Sequence, residues 1–346
     1  MEYIIILLLV ILITLFCEIF DINTKNNKLY LLSVIVILTL FLGFRGPTVG
    51  LDMGNYHKFF IQAKESTFSF LCFHYEFELG FKILTKLITF IFFDFRFYIL
   101  VISIISMIGI YNFIKNYSKN YFASIYLFIT FNYFIYYTCT LRQCLAISIL
   151  LLSFAFLKEQ KIFKYVVIVL IASLFHKTAL VFLLLPLFKF VRITPKRVIY
   201  YISFCIVLFA VKNPIIKFLT ATIYDQYLNY RNTSGSGYAM IILITVLIIG
   251  ICVIDKPIDM NKSENKYLVG MLLLALPFQV LSTTQGLIAR IVLYFNYSLI
   301  ALIPNKLEIF NIKYRNKLYI LFYISLFAFY IYQILTNSVY VDYNLF

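Results

Sequence analysis

Apolar residues dominate the whole of this 346-residue chain, and short polar segments divide them into stretches comparable in length to a membrane-spanning helix. An α-helix needs about 20 apolar residues to cross ~30 Å of hydrocarbon. Apolar residues make up 63% of the chain and charged residues only 13%, too few polar side chains for a soluble protein of this length. The pattern predicts an all-α, polytopic integral membrane protein with a single transmembrane domain over residues 1–346.

About twelve segments are predicted to cross the membrane. We interpret the first as a retained span rather than a cleaved signal, because Glu2 stands where a signal peptide would carry lysine. The predicted spans are 1–20, 29–44, 97–114, 121–138, 142–157, 162–175, 178–191, 198–212, 238–254, 267–283, 287–304 and 318–336.

The segment 79–93 is apolar but shorter, and its polar residues recur at helical spacing. They are Glu78, Lys82, Thr85, Lys86 and Thr89. We predict a re-entrant or interfacial helix on the outer side of the membrane. The alternative is a thirteenth span, which would invert the later half of the topology.

The net charge of +15 comes from short basic clusters between apolar segments, with no continuous basic patch. This distribution is typical of cytoplasmic loops beside an anionic membrane leaflet, and it does not indicate nucleic acid as a partner. It predicts both termini outside the cytoplasm, with the loops 45–78 and 213–237 on the outer face. The six cysteines form no Cys-x-x-Cys pair, so we interpret them as buried thiols.

Four arginines map near the outer face, and three of them, Arg45, Arg142 and Arg290, are candidates for one shared site. Arg142 and Arg290 have apolar neighbours on both sides. Because a charged side chain within the membrane is costly, such arginines are expected to face a protein interior or an aqueous cavity. A guanidinium group matches the oxygens of phosphate groups. We therefore predict that the three arginines bind a pyrophosphate, although snorkelling to the lipid headgroups is the alternative for each.

Several other residues of the two outer loops and the nearby turns are candidates for chemistry. Asp52, Glu78 and His176 are the candidate bases, with salt bridges to the arginines or a helix-capping role as alternatives. The candidate sugar-binding residues, which could instead form an interfacial aromatic belt, are Tyr56, Tyr224, Tyr227 and Arg231. The two outer loops, 45–78 and 213–237, would form the rim of the active site.

An ordered set of short motifs resembles the EpsG/Wzy-type bacterial polysaccharide polymerases over most of the chain. The motifs are Arg45 with Gly50, Asp52 and Tyr56; Glu78-Leu-Gly-Phe81; Leu141-Arg142-Gln143 with Ala146; Phe175-His176-Lys177-Thr178-Ala179; and Arg290 with Tyr294.

This resemblance implies a glycosyltransferase of the bacterial cytoplasmic membrane that makes capsule, exopolysaccharide or O-antigen. It would join oligosaccharide repeat units linked to polyprenyl pyrophosphate at the outer face, with no cofactor and no metal. Its partners would be that lipid-linked oligosaccharide, membrane lipids, a chain-length regulator and other polysaccharide-export proteins. The alternatives are a flippase for lipid-linked oligosaccharides, a glycan ligase and a membrane acyltransferase.

Overall fold

The computed structural model describes residues 2–74, 76–223, 237–254, 263–307, 315–336 and 343, and every regular element in these ranges is a helix. This confirms the all-α prediction. The α-helices are α1 (Glu2–Ile19), α2 (Lys28–Gly43), α3 (Met53–Glu65), α4 (Phe68–His74), α5 (Leu79–Ile91), α6 (Phe95–Tyr117), α7 (Tyr121–Thr130), α8 (Tyr133–Cys139), α9 (Leu141–Lys158), α10 (Ile162–Ser173), α11 (Pro195–Ile223), α12 (Tyr238–Ile249), α13 (Ser263–Ser282), α14 (Ala289–Asn296), α15 (Leu299–Leu307) and α16 (Arg315–Thr336). Two 3₁₀ segments, Lys177–Lys189 and Gly286–Ile288, and a π-helical turn, Gly250–Ile254, complete the described helical structure.

Six described helices are long and apolar enough to cross a membrane, or up to eight spans if each of two bent pairs counts as one. The six are Glu2–Ile19, Phe95–Tyr117, Leu141–Lys158, Pro195–Phe218, Asn265–Ser282 and Tyr319–Thr336. The count of twelve stays a prediction, because other apolar helices, such as Lys28–Gly43, Ile162–Ser173 and Tyr238–Cys252, are shorter than 18 residues.

Two predicted spans are broken in the structure. Helices α7 and α8 meet at 55°, and α14, with the short turn before it, meets α15 at 46°. At the first break Asn132 has a left-handed backbone with φ of 64°. Asparagine tolerates this conformation better than most residues, so the kink has a local sequence cause.

The two predicted outer loops are shorter than expected because helices extend into both. The 45–78 segment contains α3 and α4, and α11 continues through Pro214 to Ile223. In α3 the buried residues Met53, Tyr56 and Ala63 repeat at helical spacing. The sequence contains this helical pattern. The glycines and the proline before it favour a loop, and for that reason no helix is predicted here from the sequence.

The chain forms two compact units. The first comprises Met1–Phe156, Phe163–Leu180 and Ile303–Phe346. Within it α2 packs on α6, and α3 packs on α5. Aromatic residues from α3, α5 and α6 fill one core of this unit, including Phe59, Phe81 and Tyr98.

The second unit comprises Leu157–Ile162 and Val181–Leu302. Its central helix is α13, which packs against α11, α12 and α14. The hydroxyl group of Tyr201 on α11 donates a hydrogen bond to the backbone carbonyl of Leu273 on α13.

The polar face of helix α5 is buried in the protein, and its apolar face is exposed. Lys82, Thr85 and Thr89 are buried, whereas Leu87 and Phe90 are 55% and 83% exposed. The Lys86 ammonium donates to backbone carbonyls at the end of α3, which satisfies groups that a helix C-terminus leaves open. A helix with this orientation is typical of contact with lipid on its outer face, and helix formation at 79–93 is confirmed. Whether this helix crosses the membrane stays a prediction.

Candidate functional site

The loop that follows α2 is held tightly against α8. Gly50 has a φ of +117°, and a Cβ atom at this position would lie 2.1 Å from the carbonyl oxygen of Thr138. Only glycine meets both conditions without strain. This contact sets the start of α3, which carries Asp52 at its N-cap position and Tyr56 one turn later.

Glu78 lies immediately before α5, next to the turn that carries His176. The backbone N–H of Gly80 donates a 2.7 Å hydrogen bond to the carbonyl of Leu174. A Cβ atom on Gly80 would come within 2.9 Å of that carbonyl oxygen, so the close approach depends on glycine. The first turn of α5 and the 174–177 turn are thereby joined.

Three side chains that are distant in the sequence meet at this junction, and we call Glu78, Arg142 and His176 the Glu78 cluster. A terminal nitrogen of Arg142 lies 2.5 Å from Glu78 Oε2, and His176 Nδ1 lies 3.2 Å from Glu78 Oε1. The backbone N–H of Lys177 also donates to Glu78 Oε1, at 3.3 Å. Glu78 therefore accepts three hydrogen bonds with its two oxygens.

The surroundings of Glu78 keep it ionised. Burial by itself would raise the pKa of this carboxyl, but the hydrogen bond from His176 and the charge of Arg142 outweigh burial and lower the pKa to about 2. A carboxylate with such a low pKa is a weak base at neutral pH. Its geometry instead suits it to orient the two side chains that it contacts.

Two buried nitrogens of the Glu78 cluster have no hydrogen-bond partner within the described ranges, namely His176 Nε2 and Arg142 Nε. Because a carboxylate only accepts hydrogen bonds, His176 Nδ1 must donate to Glu78. In the neutral imidazole this leaves a lone pair on Nε2. Buried polar atoms are normally paired, so the unpaired Nε2 is consistent with a site that receives a polar ligand.

Aromatic residues fix the guanidinium group of Arg142 from other sides. It lies over the ring of Phe77, 4.5 Å from the ring centre, and it hydrogen-bonds with the hydroxyl of Tyr56. Burial raises the pKa of Tyr56 to about 12, although Arg142 opposes this shift, so the hydroxyl stays protonated at neutral pH. The arginine side chain is 22% exposed and keeps some access for a ligand.

Asp52 lies near this group without joining it. Its side chain is half-buried, and its charge acts on Tyr56. Its carboxylate has no hydrogen bond or ion pair in the part of the chain that the structure describes. A catalytic role for Asp52 stays a prediction.

Arg45 occupies a separate, fully buried position. Its guanidinium group donates to the carbonyl of Leu42 and to the sulfur of Met53, and no carboxylate pairs with it among the described residues. Burial lowers the pKa of Arg45 to about 10, so it is still charged at neutral pH. The protein encloses Arg45 completely, and its predicted role in binding pyrophosphate stays a prediction.

The remaining candidates lie elsewhere. Arg290 is exposed in the first turn of α14, within the second compact unit. Tyr224, Tyr227 and Arg231 lie outside the described residues. Their roles stay predictions.

Sequence reasoning missed two functional candidates. Phe77 stacks on Arg142. The signal in the sequence that could have indicated Phe77 is its position directly before Glu78. Lys212 is buried inside a membrane-spanning candidate, where an ammonium group is unexpected. Its position at the end of a predicted span made it resemble an ordinary boundary residue.

The chain matches the model of a known protein family over most of its length. The EpsG family model matches residues 28–345, a range that includes Glu78, Arg142 and His176. Comparison with curated proteins and with solved structures gave no match. A match over nearly the whole chain, together with several apolar membrane-spanning helices, indicates a membrane protein of polysaccharide synthesis. We conclude that this chain belongs to the EpsG family.

Proposed function

We propose that this protein is a polymerase that joins oligosaccharide repeat units carried on polyprenyl pyrophosphate, at the outer face of the bacterial cytoplasmic membrane. The observation that carries the proposal is the placement of Glu78 between His176 and Arg142, with His176 Nε2 unpaired. One side chain of this cluster can accept a proton, and another can stabilise a developing negative charge. Glycosyl transfer from a pyrophosphate donor needs both functions.

In the proposed reaction, a hydroxyl group of the incoming lipid-linked unit attacks the anomeric carbon of the growing chain. His176 Nε2 accepts the proton of this hydroxyl as the new carbon–oxygen bond forms. The bond between the anomeric carbon and the pyrophosphate oxygen breaks at the same time. The lipid pyrophosphate leaves with the bonding electrons.

The two charged partners of His176 have different tasks in this scheme. Glu78 holds Nδ1–H, selects the tautomer with a free Nε2, and stabilises the imidazolium that forms. Arg142 offers its guanidinium to the leaving pyrophosphate while Phe77 and Tyr56 hold its plane. That Arg290 binds pyrophosphate, and that Tyr224, Tyr227 and Arg231 contact the sugars, stay predictions from the sequence.

The test compares two strains in which the chromosomal gene is deleted. One strain carries the wild-type gene on a replacement copy, and the other carries the gene for the His176→Ala variant. Lipid-linked and surface glycans are then sized, and the protein is quantified in the membrane. We expect His176→Ala to leave single repeat units on the carrier at the outer leaflet. Normal chain lengths would contradict the proposal, and accumulation at the inner leaflet would indicate transport instead.

A further inference from the structure

The second compact unit contains a cation that the proposed reaction does not use. Lys212 on α11 is only 9% exposed, although it lies inside the membrane-spanning candidate Pro195–Phe218. No carboxylate pairs with its ammonium group among the residues that the structure describes. A charged group in such a place is costly and is usually functional.

Neutral groups from α11, from α12 and from the turn that follows α13 surround this ammonium. Nζ donates a 2.7 Å hydrogen bond to the hydroxyl of Thr283 and a longer one, 3.5 Å, to the hydroxyl of Tyr238. It also lies over the rings of Phe209 and Tyr238, at 4.1 and 5.1 Å from their centres. These contacts orient the cation but do not neutralise it.

Two further polar residues lie in the last turn of α13, directly before Thr283. Gln279 and Ser282 are buried and hydrogen-bonded to each other, and the Gln279 side-chain amide donates to the carbonyl of Gly237. A Cβ atom on Gly237 would lie 2.8 Å from that amide nitrogen, so a side chain at this position would displace the amide. The result is a polar cluster where the start of α12 and the end of α13 meet α11.

We propose that Lys212, with Thr283 and Tyr238, binds the carboxylate of an acidic sugar in the glycan substrate. The single ammonium group matches a ligand with one negative charge, whereas a pyrophosphate would bring at least two. Tyr238 is 44% exposed, and a partly exposed aromatic ring beside polar groups can stack on a sugar. The carbohydrate part of this inference rests on the proposed function, while the anion site rests on Lys212 itself.

The experiment measures binding to the purified full-length protein in detergent by isothermal titration calorimetry. The probes are glucuronate, glucose as the neutral sugar of the same shape, and inorganic pyrophosphate. We expect glucuronate to bind at least about tenfold more tightly than glucose, which corresponds to about one charge-assisted hydrogen bond. Lys212→Gln is expected to abolish this preference.

The matched control is Lys217→Gln, which removes an exposed lysine from the same helix and is expected to bind glucuronate like the wild type. Equal binding of glucuronate and glucose to the wild type would overturn the inference. An equal loss of glucuronate affinity in the Lys217 variant would also overturn it. The same holds if pyrophosphate binds more tightly than glucuronate and its binding depends on Lys212. If Lys212→Gln does not fold, the wild-type comparison and Thr283→Val decide the question.

The two proposals fail separately. Glycan length in the His176→Ala strain tests the polymerase, and sugar affinity at Lys212 tests the second unit. Normal glycan length with Lys212-dependent glucuronate binding would reject the polymerase and keep the anion site. Short glycans without glucuronate preference would reject only the present inference.

Discussion

Glu78 Oε1 lies 3.2 Å from His176 Nδ1, across 98 residues of sequence. The other oxygen of Glu78 contacts Arg142, so one carboxylate links a candidate base to a candidate anion-binding group. This relationship changes the expected role of Glu78 from proton acceptor to positioning residue, because its lowered pKa makes it a weak base.

The first prediction concerns the tautomer of His176. In Glu78→Gln the amide nitrogen can turn toward Nδ1 and donate to it, which would place the proton on Nε2. We expect polymerisation of lipid-linked repeat units to slow about 10²- to 10⁴-fold, as when a catalytic histidine loses its orienting carboxylate. The rate would be measured with purified protein at a temperature where both forms are folded.

Glu76→Gln is the matched control, since Glu76 is exposed and precedes Glu78 by two residues. It should polymerise at the wild-type rate. A Glu78→Asp variant should recover part of the lost activity if orientation of His176 is the cause. Full activity in Glu78→Gln would contradict the positioning role.

The second prediction concerns the shape of the Arg142 side chain. Arg142→Lys keeps the positive charge but loses the planar fork that contacts Glu78 and stacks on Phe77. We expect at least about a tenfold loss of polymerisation rate, equivalent to one or more lost charge-assisted hydrogen bonds. Arg96→Lys, an exposed arginine at the start of α6, should have no effect. Equal activity of the two lysine variants would show that charge alone suffices.

The third prediction compares Gly50, in the loop between α2 and α3, with Gly54, in the first turn of α3. Gly50→Ala combines a positive φ with a close contact to the Thr138 carbonyl, so it should lower the free energy of unfolding by at least about 2 kcal/mol. Gly54→Ala has open space around the new methyl group and lies in α3, where alanine is favoured by roughly 0.5–1 kcal/mol.

Thermal unfolding in detergent measures both variants. The melting temperature should fall clearly for Gly50→Ala and should be unchanged or slightly raised for Gly54→Ala. If both variants melt like the wild type, the close packing of the loop on α8 is wrong.

The fourth prediction concerns acid stability. The pKa of Glu78 falls from 4.5 to about 2 on folding, so ionisation of this group stabilises the folded state. The contribution, on the order of 3 kcal/mol, is fully present above about pH 4.5 and is lost as the pH falls toward 2.

Chemical denaturation in detergent between pH 2 and 6 measures this effect. The quantity is the difference in the free energy of unfolding between the wild type and Glu78→Gln. That difference should shrink as the pH falls, while exposed Glu65→Gln should match the wild type throughout. A constant difference across the range would show that Glu78 does not titrate as a buried ion-pair partner.

The order of apolar segments was sufficient to predict an all-α membrane protein, because burial in hydrocarbon demands long apolar helices whatever their partners. It was also sufficient to single out Glu78, Arg142 and His176, since charged and titratable side chains are rare in such a chain. Helix α3 was missed because the glycine-rich segment before it dominated the local pattern.

Only the tertiary structure decided which of these residues meet. Glu78 and His176 come together because the backbones at Gly80 and Leu174 are in contact, and no local pattern encodes a pairing across so many residues. The same holds for Arg45, which the sequence grouped with Arg142 but the fold buries against Leu42 and Met53. Composition and periodicity reflect the preference of each residue for water or for an apolar environment. A site depends instead on contacts that form only when distant segments of the chain pack together.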